Sequence, residues 1–286
     1  MRLVLLFLWI LRWLPPSWVR ALARGLGSLL FHFGRRRITL RNLELCFPDM
    51  PEAERVKLGR RVFQNLARAT LELGRLWYAP RDVALANIRM VDQHYYEEHL
   101  DKGPVILLAP HFVGLDFGGA RVSAEYPQTF SIYSTQKNKV FDAALRRARS
   151  RFGDPLLVSR QDGLRAVMRA LRAQKPFYYL PDMDFGARDA VFVPFFGVPT
   201  ATVTAMSRMA AIAKARVVPC ITRQREDHYE VRFYPAWDNY PTDDLEADTR
   251  RMNAFIEDRI REMPDQYFWV HKRFKTRPPG EKSLYK

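Results

Sequence analysis

Residues 104–109 read PVILLA, an unbroken apolar run bounded by Pro104 and Pro110. Six residues are too few for an ordinary globular helix, and a run without polar alternation has no wet face, so the segment reads as a strand covered on both sides. A strand of that kind requires helices above and below its sheet. Further short apolar runs at 129–133, 156–159, 177–180, 217–222 and 229–234 read as strands, and helical patterns fall at 138–152, 161–174, 202–215 and 246–263. Asp49 with Glu52 reads as the opening of a longer helix that runs through Val56, Phe63, Leu66 and Leu73 to about Tyr78. The alternation predicts a single α/β domain with a mixed sheet, and 286 residues are enough to bury its core.

The first 33 residues have a different pattern. LVLLFLWIL at 3–11 is interrupted by Arg12 and by Pro15-Pro16, and a second apolar stretch occupies 18–33. Neither run reaches the ~20 apolar residues that span a bilayer. In the second stretch Arg20 and Arg24 lie four apart among Trp18, Val19, Leu22, Leu26, Leu29 and Leu30, the spacing of an amphipathic helix. The expectation is an apolar membrane-anchoring helix within 1–33, lying at the interface, ahead of a catalytic unit at 34–286. A helix packed on the protein's own core is the competing reading. Arg35-Arg36-Arg37 would hold the rest of the chain on the cytoplasmic side. Two widely separated cysteines, Cys46 and Cys220, suggest neither a disulfide framework nor a zinc site.

The net charge is +15, unevenly spread. Residues 1–75 carry 14 basic against five acidic side chains, and residues 137–175 carry 11 against three. Positive charge beside an apolar N-terminus suits an anionic bilayer, a solvated basic face accounts for it equally well, and a nucleic-acid surface is the third option. No nucleic-acid module is present, and that reading leaves the apolar N-terminus unexplained, so nucleic acid is not an expected partner.

Phosphate-binding loops, nucleophile elbows and paired-histidine zinc motifs are all missing from the sequence. Directly after the PVILLA strand and Pro110 comes His111-Phe-Val-Gly-Leu-Asp116. Strand ends are where α/β sheets bind ligands. With His111 in the turn and Asp116 in the first helical turn, the carboxylate would fix the imidazole tautomer and leave the other nitrogen to take a proton from a hydroxyl. In a chain with six His and 31 acidic residues the spacing alone is within chance; the position after a buried strand and before Gly118-Gly119 is what singles it out.

Several blocks together resemble the lipid A biosynthesis acyltransferases, the lauroyl/myristoyl transferase family, whose domain is glycerolipid-acyltransferase-like. Asn42-Leu43 with Cys46-Phe47-Pro48 is similar to the family's N-terminal block, and His111–Asp116 to its H-x4-D/E motif. LPDMDFG at 180–186 is similar to its P-D-x-D-x-G segment, and PDQYFWVHKRFKTRP at 264–278 to its C-terminal signature. The resemblance implies acyl transfer from acyl carrier protein to a hydroxyl of a Kdo-bearing lipid A precursor, at the cytoplasmic face of the inner membrane and against its anionic lipids. It implies no metal or other cofactor. His111 would be the general base, Asp116 its orienter and Arg149 a catalytic cation. Arg147, Arg151, Asp182 and Asp184 would bind substrate, and an oxyanion would be met by Arg149 or by backbone N–H groups near Gly118. The basic segment 137–175 would dock the acidic carrier protein or grip acceptor phosphates. A neighbouring acyltransferase acting on a lysophospholipid or another glycolipid, and a non-catalytic basic lipid- or nucleic-acid-binding protein, are the alternatives. Met183 between the aspartates and Ser134-Thr135 depart from the family pattern.

Overall fold

The structure is a computed structural model that describes residues 1–153, 156–159 and 163–285. In chain order the first part comprises α1 (Arg2–Leu11), α2 (Pro16–His32), α3 (Arg36–Cys46), α4 (Glu52–Tyr78), α5 (Arg81–Leu85), β1 (Ile88–Val91), α6 (His94–Glu97), β2 (Val105–Leu108), α7 (Leu115–Glu125) and β3 (Ser131–Tyr133). It continues with α8 (Lys139–Arg149), β4 (Leu157–Ser159), α9 (Gly163–Arg172), β5 (Phe177–Tyr179), β6 (Ala190–Phe195), β7 (Val198–Val203), α10 (Ala205–Ala213), β8 (Arg216–Gln224), β9 (Tyr229–Phe233) and α11 (Leu245–Glu262).

The main sheet has the order β1-β9-β8-β2-β5. β5, β2 and β8 run parallel, β9 is antiparallel to β8, and β1 is parallel to β9, so the sheet is mixed as expected. β2 lies inside it with all four residues buried. Its side chains alternate between two cores: Val105 and Leu107 pack with Leu71, Leu76, Phe117 and Val122, whereas Ile106 and Leu108 pack with Leu171, Met206, Ile256 and Ile260. Helices therefore cover both faces, and each fully buried Leu or Ile contributes roughly 1.5–3 kcal/mol. β3 and β4 form a short parallel pair, and β6 and β7 an antiparallel hairpin.

The N-terminal segment forms two helices. Pro16 takes the first position of α2, where its missing N–H costs nothing, and the turn between the helices falls at Arg12–Pro15. Both helices pack on α4 across glycines. A Cβ at Gly74 would lie 2.2 Å from the Leu8 carbonyl oxygen, and one at Gly27 would lie 2.4 Å from the Gln64 Cα. Leu8, Leu11, Val19, Ala23 and Phe31 are buried, while Leu3, Phe7, Trp13, Trp18 and Leu29 stay exposed. The single anchoring helix of the sequence reading is thus corrected to two helices, each seated on α4 and the protein's own core. Among the described residues no helix is long and apolar enough to cross a membrane.

Two local expectations also change. α4 begins after Pro51 without a side-chain cap, so Asp49 does not cap it. Residues 202 and 203, expected in a helix, belong to β7, which pairs with β6. Residues 161 and 162 of the expected helix at 161–174 lie outside the described residues.

Candidate active site

The parallel register of β2 with β5 places Leu108 opposite Tyr179. Three residues beyond each strand end stand His111 and Asp182. The Nδ1 of His111 lies 2.7 Å from Asp182 Oδ1, and the His111 backbone N–H donates to the same carboxylate at 3.0 and 3.2 Å. Asp182 is 1% exposed. Burial by itself would raise its pKa, but nearby His111, the hydrogen bonds from that residue and the Arg273 guanidinium outweigh it and hold the carboxyl below its usual range. An ionised Asp182 can only accept, so it assigns the proton to Nδ1 and leaves Nε2 as the basic nitrogen.

Asp116, in the first turn of α7, is paired elsewhere. Arg149, the last residue of α8, donates to Asp116 Oδ1 from Nε at 3.1 Å and from Nη2 at 2.8 Å. The carboxylate that orients His111 is therefore Asp182, and the pairing inferred from the His111–Asp116 spacing is corrected. Asp116 instead sets the guanidinium.

His111, Asp116 and Arg149 all line one cavity of about 750 Å³, together with Trp77, Phe130, Ile132, Tyr133, Leu157 and Tyr179. A volume of this size, with mostly apolar walls and a few convergent polar groups, suits a small-molecule or acyl-chain site. Trp77, Ile132 and Leu157 were not among the expected site residues. Their patterns read only as helix and strand, and nothing local marks which face meets a cavity.

The other expected substrate residues are placed differently. Arg151 donates to the carbonyl oxygens of Leu76 and Ala79 at 2.7 and 2.5 Å, closing the C-terminal end of α4. Arg147 is exposed on α8 and does not line the cavity. Asp184 accepts from the Thr276 N–H and hydroxyl and from the Gly186 N–H at 2.7, 2.8 and 2.9 Å, and its own N–H donates to His271 Nε2 at 3.0 Å. It secures the C-terminal segment. The Gly118 N–H donates to the Gly114 carbonyl inside α7 and is not available to an oxyanion. Gly118 is required sterically, since a Cβ there would lie 1.9 Å from Thr222 Oγ1.

The 264–278 stretch straps the His111 loop from outside. Val113 donates to the Gln266 carbonyl at 2.8 Å, Phe268 donates to the His111 carbonyl at 3.1 Å, and Phe112 bridges Tyr267. Asn42 on α3 donates to the carbonyls of Trp269 and His271, both at 2.7 Å. This ties the N-terminal block of the sequence to the C-terminal one. Burial and the Arg273 charge push the His271 pKa down to about 4, so it is a neutral acceptor for Asp184.

The model of one family, described as bacterial lipid A biosynthesis acyltransferase, matches residues 1–276. The lipid A biosynthesis lauroyltransferase of Escherichia coli is 34% identical over 284 residues, covering 97% of this chain and 92% of that protein. The lipid A biosynthesis palmitoleoyltransferase of the same organism is 31% identical over 286 residues, with 97% and 92% covered. The crystal structure of a 1-acyl-sn-glycerophosphate acyltransferase from Thermotoga maritima aligns over 84% of this chain and 97% of its own at 12% identity and a TM-score of 0.41, a likeness on which no part of the site rests.

Proposed function

The chain belongs to the bacterial lipid A biosynthesis acyltransferase family and is an acyltransferase, and on that premise we propose that it moves a fatty acyl chain from acyl carrier protein to a hydroxyl of a Kdo-bearing lipid A precursor. The observation that carries this reading is the His111 Nδ1 contact with a buried Asp182 carboxylate, on a histidine that lines an apolar cavity. Nε2 takes the proton of the acceptor hydroxyl as its oxygen attacks the thioester carbonyl, while Asp182 stabilises the imidazolium that forms. The oxyanion of the tetrahedral intermediate meets the Arg149 guanidinium, whose Nη1 is not used by Asp116; a positioned donor of this kind is worth about 3–4 kcal/mol. Collapse forms the ester, breaks the carbon–sulfur bond and returns the proton from Nε2 to the departing thiolate.

Residues 1–33 serve as the membrane-contacting unit and 34–286 as the catalytic unit. The exposed Leu3, Phe7, Trp13 and Trp18 would enter the bilayer interface beside Arg20, Arg24 and Arg35–37, facing anionic lipids of the cytoplasmic leaflet of the inner membrane. The basic faces of α8 and α9 would meet the acidic carrier protein or the acceptor's phosphates. The two Escherichia coli relatives differ in the acyl group they are named for at nearly equal identity to this chain, so overall likeness does not fix the acyl chain that is used.

Mass spectrometry of a Kdo-lipid A precursor after incubation with acyl carrier proteins bearing C10 to C16 chains tests the proposal. One added chain, absent with His111→Ala, is the expected result. No increment from any donor with folded protein would point to another acceptor lipid.

A further inference from the structure

At the opposite end of the sheet from His111, where β2 and β8 begin, lies a second cleft of about 320 Å³. His99, Lys102, Lys214 and Arg216 line it along with Tyr240, and none of the described residues that line it carries a carboxylate. Glu98 and Asp101 are neighbours in sequence but do not form its wall. The cations converge: burial first, then the fields of Arg216 and Lys102, lower the His99 pKa against the opposing pull of Glu98. Like charges gathered in a concave site within one Debye length of each other raise the energy of the empty cleft, and an anion relieves it.

Lys214 ends α10 in the left-handed region, with φ 52° and ψ 39°. Glycine or asparagine is the usual residue at that position because it is free of strain there. A cation at the end of α10 complements the helix dipole, which accounts for Lys214. It does not account for Arg216 at the first position of β8, nor for Lys102 in the loop before β2.

We propose that this cleft is an anion-binding site for a phosphate group, separate from the acyl-transfer cavity, with Arg216, Lys102 and Lys214 as its ligands. A guanidinium and two ammonium groups match the several oxygens and the charge of a phosphate better than a single carboxylate. The volume leaves space for a substituent on the phosphorus. The phosphate belongs either to a lipid headgroup or to a free phosphate.

Calorimetric titration of the full chain in neutral detergent decides this, with inorganic phosphate as one probe and monomeric dihexanoyl phosphatidic acid as the other. Saturable binding is expected, weakened at least tenfold in Lys102→Gln/Arg216→Gln, with melting temperature and acyl-transfer rate unchanged. Tighter binding of the phosphatidic acid identifies a lipid headgroup; equal or tighter binding of inorganic phosphate identifies the free ion. Equal binding by wild type and the double variant, no saturable binding of either probe, or loss of binding in Arg149→Met would overturn the proposal.

Discussion

The Asp182 carboxylate holds His111 at two points, taking its backbone N–H and its Nδ1 together, so one buried acid fixes both the loop and the ring. Rotating the imidazole away from Asp182 would leave a buried charge with fewer partners, which is costly. The imidazole is therefore held in one orientation by the fold itself.

Asp182→Asn keeps the shape but offers an amide that can donate, which disfavours the Nδ1–H tautomer. We expect kcat to fall by about 10³–10⁴ with the fold intact by circular dichroism, by analogy with the loss of the orienting acid in hydrolase triads. A fall of less than tenfold would return the orienting role to Asp116.

Asp116 and Arg149 act as one unit if Asp116's task is to aim the guanidinium. Asp116→Asn and Arg149→Lys should each lower kcat/KM by about 10²–10³, the range for losing an oxyanion donor. The double variant should be no worse than the more damaged single one. Multiplying effects in the cycle would separate the two residues and remove this pairing from the mechanism.

His271 makes stability depend on acidity. Its folded pKa of about 4 lies below the unfolded value of 6.5, so the unfolded chain binds the extra proton first. The contribution is fully present above pH 6.5 and is lost as pH falls from 6.5 toward 4; its full size is on the order of 3 kcal/mol. Asp182, also held low, adds to acid sensitivity below its own unfolded value. Urea titrations between pH 4 and 7 should show a shallower loss for His271→Gln than for wild type, and parallel curves would refute the assignment.

Trp13, in the turn between α1 and α2, and Trp18, on α2, are 70% and 66% exposed. Replacing both with Gln should cut sedimentation with anionic vesicles by roughly an order of magnitude, given the apolar area removed from the interface. The melting temperature should not change, because neither ring packs in the core. Undiminished sedimentation would assign membrane contact to another surface.

Much of the fold is legible along the chain because it depends on local pattern. The 104–109 run reads as a doubly covered strand, and in β2 neighbouring residues do point into two cores. β1 does not stand out in the same way: IRMV alternates too briefly, and it is a strand because β9 pairs with it. Thr202 and Val203 continue a helical pattern in sequence, yet pairing with Val191 and Ala190 draws them into a hairpin. Tertiary pairing prevails over weak local preference at such positions.

Residue types and spacings of a few positions are enough to establish that a strand buried on both faces leads to a histidine, that the apolar N-terminus is too short to span a bilayer, and that basic charge clusters beside it. The acid that serves His111 is fixed at a longer range. Asp116 is five residues away and Asp182 is 71, but β2 and β5 are parallel neighbours with Leu108 opposite Tyr179, so three further residues on each strand bring His111 and Asp182 to the same height. Strand register is a through-space property, set when the sheet assembles and the flanking helices bury it, and for that reason spacing along the chain pointed to the nearer carboxylate.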